Sequence, residues 1–286
     1  MYDYFIEPFA TYIFLKRALI ACLALAAGCA PMGVLLVLRR MSLMGDALSH
    51  SVMPGVAVGY LIAGLSLPAM GIGGFIAGLV VAFLATLVSR YTQLKEDASF
   101  VGFYLIALAS GTVIISLKGN TLDLTHILFG TILSVNATAL IIVATITSVT
   151  LLLLAVIYRP LILECFDPTF MRSIGGKGTV YHLIFMALVV LNMVAAFQAL
   201  GTLMALGMMM LPAIAARFWA KTLWLLMSVA FVIAIVSSYL GLVFSYQVNL
   251  PSGPTIILIA GIFYIMSLIL GPYGSLRYTF FAKKDF

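Results

Sequence analysis

Leu43-Met44-Gly45-Asp46-Ala47-Leu48-Ser49-His50-Ser51-Val52-Met53-Pro54-Gly55 places an acid and an imidazole at the head of a long apolar run. The whole chain holds only nine acidic residues and three histidines, so their meeting here is informative. On a helix, Asp46 and His50 stand four apart and share a face. A carboxylate and an imidazole on one face can hold a divalent cation together. Pro54 has no amide proton, so in a helix it leaves the carbonyl of His50 without its usual partner, open to water or a metal. A plainer reading uses the same residues. An acid in a first helical turn complements the helix dipole, and an i,i+4 Asp–His pair is an ordinary helix contact. Spacing alone leaves both readings open, and it puts the pair near the start of the run rather than its middle.

The rest of the chain sets the environment. It is 64% hydrophobic and 8% charged, with a mean hydropathy of +1.22. A soluble domain carries about 25% charge, so most of this surface must face lipid. An all-α polytopic membrane protein follows, one domain over residues 1–286, with no room for a separate soluble domain. No removable signal peptide is evident, because the start carries Asp3 and Glu7 rather than a basic region. Cys22 and Cys29 lie in the first apolar run and Cys165 in a polar loop, which gives no disulfide framework. The net charge of +6 reads as basic loops on one side of a membrane, not as a nucleic-acid surface.

Apolar runs of spanning length, roughly 20 residues, are expected at about Arg17–Leu38, interrupted by Pro31 and Gly33, then at Met44–Leu65, Met70–Ser89 and Ser99–Leu117. A partial helix at His126–Val135 leads into a fifth span ending near Tyr158. Further runs lie at Tyr181–Leu200, Leu203–Arg217, Leu223–Phe244 and Thr255–Leu270. That makes nine crossings, or eight if the short run through Pro212 is re-entrant. Nine crossings gather Arg39, Arg40, Arg90, Lys95, Arg159, Arg172, Lys177, Arg217, Lys221, Arg277, Lys283 and Lys284 on one side, against Lys16, Arg17 and Lys118 on the other. Basic loops stay in the cytoplasm. The C-terminus and the Arg159–Gly178 loop are therefore expected inside and the N-terminus outside. Gly55 with Gly59, and Gly74 with Gly78, carry the spacing that lets helices approach closely in lipid.

Within the 159–178 loop, Asp167 is a good N-cap and Pro168 a good first helical residue, with Gly175 a plausible terminator. Phe166, Phe170 and Ile174 make one apolar stripe. Such a short amphipathic helix either lies on the membrane or docks into a groove on a partner. Pro212 frees the carbonyl of Met208 by the same arithmetic as Pro54. Met204, Met208, Met209 and Met210 around it suit copper(I) or, the preferred reading, adaptable apolar packing. Asn192 and Gln198 line a polar path or bond across helices. Asp123 and His126 read as a solvated link, with a metal entry point as the alternative. His182, at the interface, needs no special role.

Several activities lack their motifs. The chain has no GxxxxGK[ST], no HExxH and no GxSxG. An intramembrane aspartyl protease needs two membrane carboxylates, and Asp46 is the single candidate. The chain thus reads as a transport subunit rather than an enzyme.

The stretch from Leu38 to Ala57 closely resembles the signature of permease subunits of the manganese/zinc/iron ABC importers. The segment from Phe166 to Gly175 is similar to that family's coupling segment, and Gly201 to Arg217 to its third familiar block. The likeness runs from about Tyr12 to Gly271. It implies a compact type II ABC-importer fold, like that of the vitamin B12 and siderophore importers but with fewer spans. It implies a cell inner membrane location and a dimer with a second permease copy or a sister permease. A separate cytoplasmic ATPase would dock at Glu164, Phe166, Asp167, Pro168, Phe170, Arg172, Ile174 and Gly175. An extracytoplasmic metal-binding protein would deliver the ion. Asp46 and His50 match the family's aspartate and histidine that bind Mn²⁺, Zn²⁺ or Fe²⁺ in transit, with no permanently bound cofactor. The rival is a proton-coupled secondary metal transporter using the same two residues as a relay.

Overall fold

The computed structural model describes residues 7–64, 66–116, 136–173 and 175–274, and among these every regular element is helical. The elements in chain order are α1 (Glu7–Thr11), α2 (Ile13–Leu38), α3 (Leu43–Ser51), α4 (Met53–Ala63), α5 (Leu67–Tyr91), α6 (Glu96–Ser116), α7 (Ala137–Phe166), α8 (Pro168–Ser173), α9 (Gly178–Leu200), α10 (Thr202–Ala216), α11 (Leu223–Val248) and α12 (Ser252–Leu270). Seven helices, α2, α5, α6, α7, α9, α11 and α12, are long and apolar enough to cross a membrane. The expected second span is the broken pair α3–α4, about 30 Å end to end at 1.5 Å per residue. The short run through Pro212 is α10, 15 residues long. The expected partial helix at His126–Val135, with Asp123 and His126, lies outside the described residues. So do Ile174, the side chains of Pro168 and Arg172, and the basic tail with Arg277, Lys283 and Lys284.

Helix α2 forms the centre of the bundle, against α7, α9, α10 and α11. It runs unbroken through Pro31, which corrects the expected interruption. Proline is tolerated inside such helices because neighbouring groups take up the freed carbonyl. Gly33 is no break either: a methyl there would overlap the Met209 carbonyl of α10, so the glycine permits backbone contact. The outer helices turn large apolar side chains outward, as Ile72 and Ile76 on α5, Ile106 on α6, Leu152 and Val156 on α7, and Leu258 on α12 do. In water such a surface would be an aggregation liability; here it is the face that meets acyl chains.

The glycine spacings mark real contacts. Gly55 and Gly59 of α4 lie on the backbone of α5 at Gly73 and Ala69. Gly74 receives Val52, and Gly78 receives Val190 of α9. Helix α7 also differs from expectation. It continues through Pro160 to Phe166 instead of stopping near Tyr158, so the segment joining it to α9 is short and α8 follows after Asp167 alone.

Candidate functional site

The turn that delivers α3 is built at the end of α2. The amides of Arg40 and Met41 bond the carbonyls of Val37 and Leu36, which closes the helix in a Schellman arrangement. Arg40 occupies the left-handed position, φ 61°, where glycine is usual. Three residues later α3 begins. Its inner face, Met44, Ala47, Leu48 and Ser51, is buried. Gly45 has no side chain because Met210 and Leu206 of α10 occupy that space.

The opposite face turns out of the chain. Leu43, Asp46, His50, Pro54, Val58 and Ile62 follow one another at helical spacing, and none is buried. Asp46 and His50 meet on this stripe, with Oδ1 and Nε2 3.6 Å apart. The His50 ring lies over Tyr104 of α6, centroids 6.1 Å apart. Its Nδ1 is buried and has no hydrogen-bond partner. Two bonds of about 2.1 Å to one ion, at tetrahedral to octahedral angles, need donors roughly 3.0–3.4 Å apart. A closure of a few tenths of an ångström therefore suffices. The pair supplies one oxygen and one nitrogen, fewer than a complete shell for any divalent metal.

The helix does break near Pro54, with Val52 joining α3 to α4. The His50 carbonyl is not left open, however: it accepts the amide of Val52. The expected free backbone ligand is thus already engaged. At Pro212 there is no break at all, because α10 continues to Ala216. The methionines around it are buried packing, and the Met208 sulfur accepts a hydrogen bond from Ser238 at 3.4 Å. Asn192 donates to Thr150 of α7 at 2.7 Å, and Gln198 donates to the Leu67 carbonyl of α5 at 2.9 Å. Both are cross-helix bonds.

The Asp167 cap forms: the Phe170 amide donates to Oδ1 at 2.8 Å. Gly175 adopts φ 72° and the Gly176 amide bonds the Met171 carbonyl, as a terminator does. Phe166 and Phe170 are both exposed, whereas Met171 is buried. Glu164 is not exposed beside them. It is 7% accessible and lies against the first turn of α9, where its carboxylate fills the space a side chain on Gly178 would need.

Sequence reasoning missed the surroundings of Glu164. Arg90, at the end of α5, reaches Glu164 at 3.8 Å and donates to the Thr179 hydroxyl of α9. His182, one turn further along α9, is 4% accessible. Its Nδ1 meets the Arg39 guanidinium and its Nε2 meets Glu96 Oε1 at 2.7 Å. Arg39 also lies over the Phe185 ring, 5.3 Å from its centroid. No local pattern flags this cluster, since its members come from α2, α5, α6, α7 and α9. The one available hint was that a histidine and several charges all fall at helix ends on the same side.

The ABC 3 transport family model matches residues 11–271. The manganese import system permease protein ScaB of Streptococcus parasanguinis is 33% identical over 268 residues, 94% of each chain. The chelated iron transport system membrane protein YfeD of Yersinia pestis is 32% identical over 263 residues, 92% of this chain and 87% of that one. The solved structure of PsaBC from Streptococcus pneumoniae in complex with Fab superposes with a TM-score of 0.85 at 32% identity, covering 99% of this chain and 100% of the other.

Proposed function

The chain belongs to the ABC 3 transport family, and from that premise we propose that it is the membrane permease of an ATP-driven importer carrying Mn²⁺, Fe²⁺ or Zn²⁺. The relatives named for manganese and for iron support the cargo class. Asp46 and His50 take the ion in transit. The observation that carries this reading is their convergence to 3.6 Å on the outward stripe of α3.

That stripe also supports a dimer. A charge held in the bilayer costs about 2.5–3.5 kcal/mol even on lenient scales. A second permease, identical or a sister chain, covers Asp46 and adds its own donors across a shared path. Oxygen and nitrogen ligands suit these three ions and disfavour Cu⁺. So few ligands bind weakly, which a carrier needs in order to let go.

The chain lacks a phosphate-binding loop, so ATP is hydrolysed on a separate partner. Exposed Phe166 and Phe170 beside the capped α8 form the dock for it. The end of the bundle bearing Arg39, Arg90 and Lys177 faces the cytoplasm with the C-terminus, and the N-terminus lies outside, in an inner membrane served by an extracytoplasmic metal-binding protein. The test is metal uptake by the permease reconstituted with its ATPase and binding protein. Loss of one charged ligand is worth about 1.5–3 kcal/mol, so Asp46→Ala should cut Mn²⁺ uptake at least about tenfold. Undiminished uptake would refute the assignment. Uptake that persists without ATP and collapses with a protonophore would instead favour a proton-coupled carrier.

A further inference from the structure

Arginine has donors only and cannot lose its proton in a protein. The His182 Nδ1 that faces Arg39 must therefore be the acceptor nitrogen. The proton sits on Nε2 and is donated to Glu96 at 2.7 Å. The imidazole is neutral, in one tautomer, and sandwiched: guanidinium on one side, carboxylate on the other. The Thr86 hydroxyl closes the group, 3.4 Å from both Glu96 Oε1 and His182 Nε2. Half of this cluster belongs to the ends of α2 and α6. Arg39 is the residue from which the turn into α3 departs, and α6 carries Tyr104 against His50.

The other part links the end of α7 to α5 and α9. Glu164 precedes α8 by a single turn and is clamped by Arg90, which also holds Thr179 of α9. Cys165, its neighbour, lies within electrostatic reach of the Arg39 guanidinium. One Glu164 oxygen, Oε2, is buried without a partner, over the first turn of α9 where the helix dipole favours negative charge. A buried ionic group of this kind is a poor source of stability, because desolvation offsets most of the attraction. What it does supply is fixed geometry between the helices it joins.

We propose that Arg39, His182, Glu96, Arg90 and Glu164 form a rigid joint that carries movement of the α8 segment to the Asp46–His50 pair. They are positioning residues for transport and touch neither nucleotide nor metal. The inference rests on the permease reading above. A push on α8 moves the end of α7. Glu164 passes it through Arg90 and Thr179 to α9, whose His182 holds Arg39. Arg39 shifts the turn that sets α3, while Glu96 shifts α6 behind His50. Both walls of the metal pair move together.

The experiment measures Mn²⁺ delivered per ATP hydrolysed, with the full transporter in proteoliposomes. A defect that only loosens the fold lowers both rates and leaves their ratio alone. His182→Leu removes both the acceptor and the donor, and the ratio should fall at least fivefold while the ATPase still hydrolyses. His182→Gln retains one acceptor and one donor and should stay within twofold of wild type. Glu164→Gln keeps the shape and removes the charge, and its ratio should fall as well, which provides a reading if His182→Leu fails to assemble. A wild-type ratio in His182→Leu or in Glu164→Gln, or equal losses in His182→Leu and His182→Gln, would overturn the joint. A wild-type transporter that moves no Mn²⁺ would count against the permease reading instead.

Discussion

Two histidine–carboxylate pairs lie among the described residues, and they differ in every respect that matters. Asp46 and His50 are neighbours on one helix, 3.6 Å apart, with 54% and 34% of their side chains exposed. Glu96 and His182 come from different helices, 2.7 Å apart, with His182 sealed in and held on its far side by Arg39. The first pair has spare capacity: a second carboxylate oxygen, an unpartnered Nδ1 and an open face. In the second, both imidazole nitrogens are committed. An open pair can gain and lose a ligand. A saturated one transmits displacement without exchanging anything.

The sharpest way to break this contrast is to remove each acid in turn. Asp46→Ala should reduce uptake at least about tenfold and leave the folded protein's thermal stability close to wild type, since its side chain is half exposed. Glu96→Ala should do the reverse in part. It strands a buried His182 proton donor and should lower stability by about 1–3 kcal/mol, seen as a lower unfolding temperature in detergent. If both variants fall in the same class, the distinction between an exchanging pair and a fixed one is wrong.

Gly178→Ala comes next. Its methyl would occupy the place of the Glu164 carboxylate, so it should destabilise by about 1–3 kcal/mol, as overpacking does, and it should lower the ratio of metal to ATP without changing α8. Arg40→Gly is the smallest expected effect. A non-glycine residue in the left-handed region costs about 1 kcal/mol, so glycine should be neutral to slightly stabilising by thermal unfolding. A clear loss would mean that the Arg40 side chain, and not the turn, holds the hinge between the two regions.

What was legible in the sequence follows from the range of each signal. Apolar runs report spans because lipid accepts little else: among the described residues seven spanning helices, the broken pair α3–α4 and the short α10 stand where nine runs were read. The Asp167 cap and the Gly175 stop were legible because capping is settled within a few residues. Asp46 and His50 share a face because four residues make one turn. Proline misled twice inside helices, at Pro31 and Pro212. The rule that it breaks helices assumes water beside the backbone, whereas here neighbouring helices hold the chain in register. His182 was illegible because its partners, Arg39 and Glu96, are brought to it only by the assembled bundle.

The most direct test is pulsed electron paramagnetic resonance of Mn²⁺ held by the assembled permease–ATPase complex. The account predicts an imidazole nitrogen coupling that disappears in His50→Gln and persists in His182→Gln. Manganese that stays bound in His50→Gln with its nitrogen coupling unchanged would contradict it.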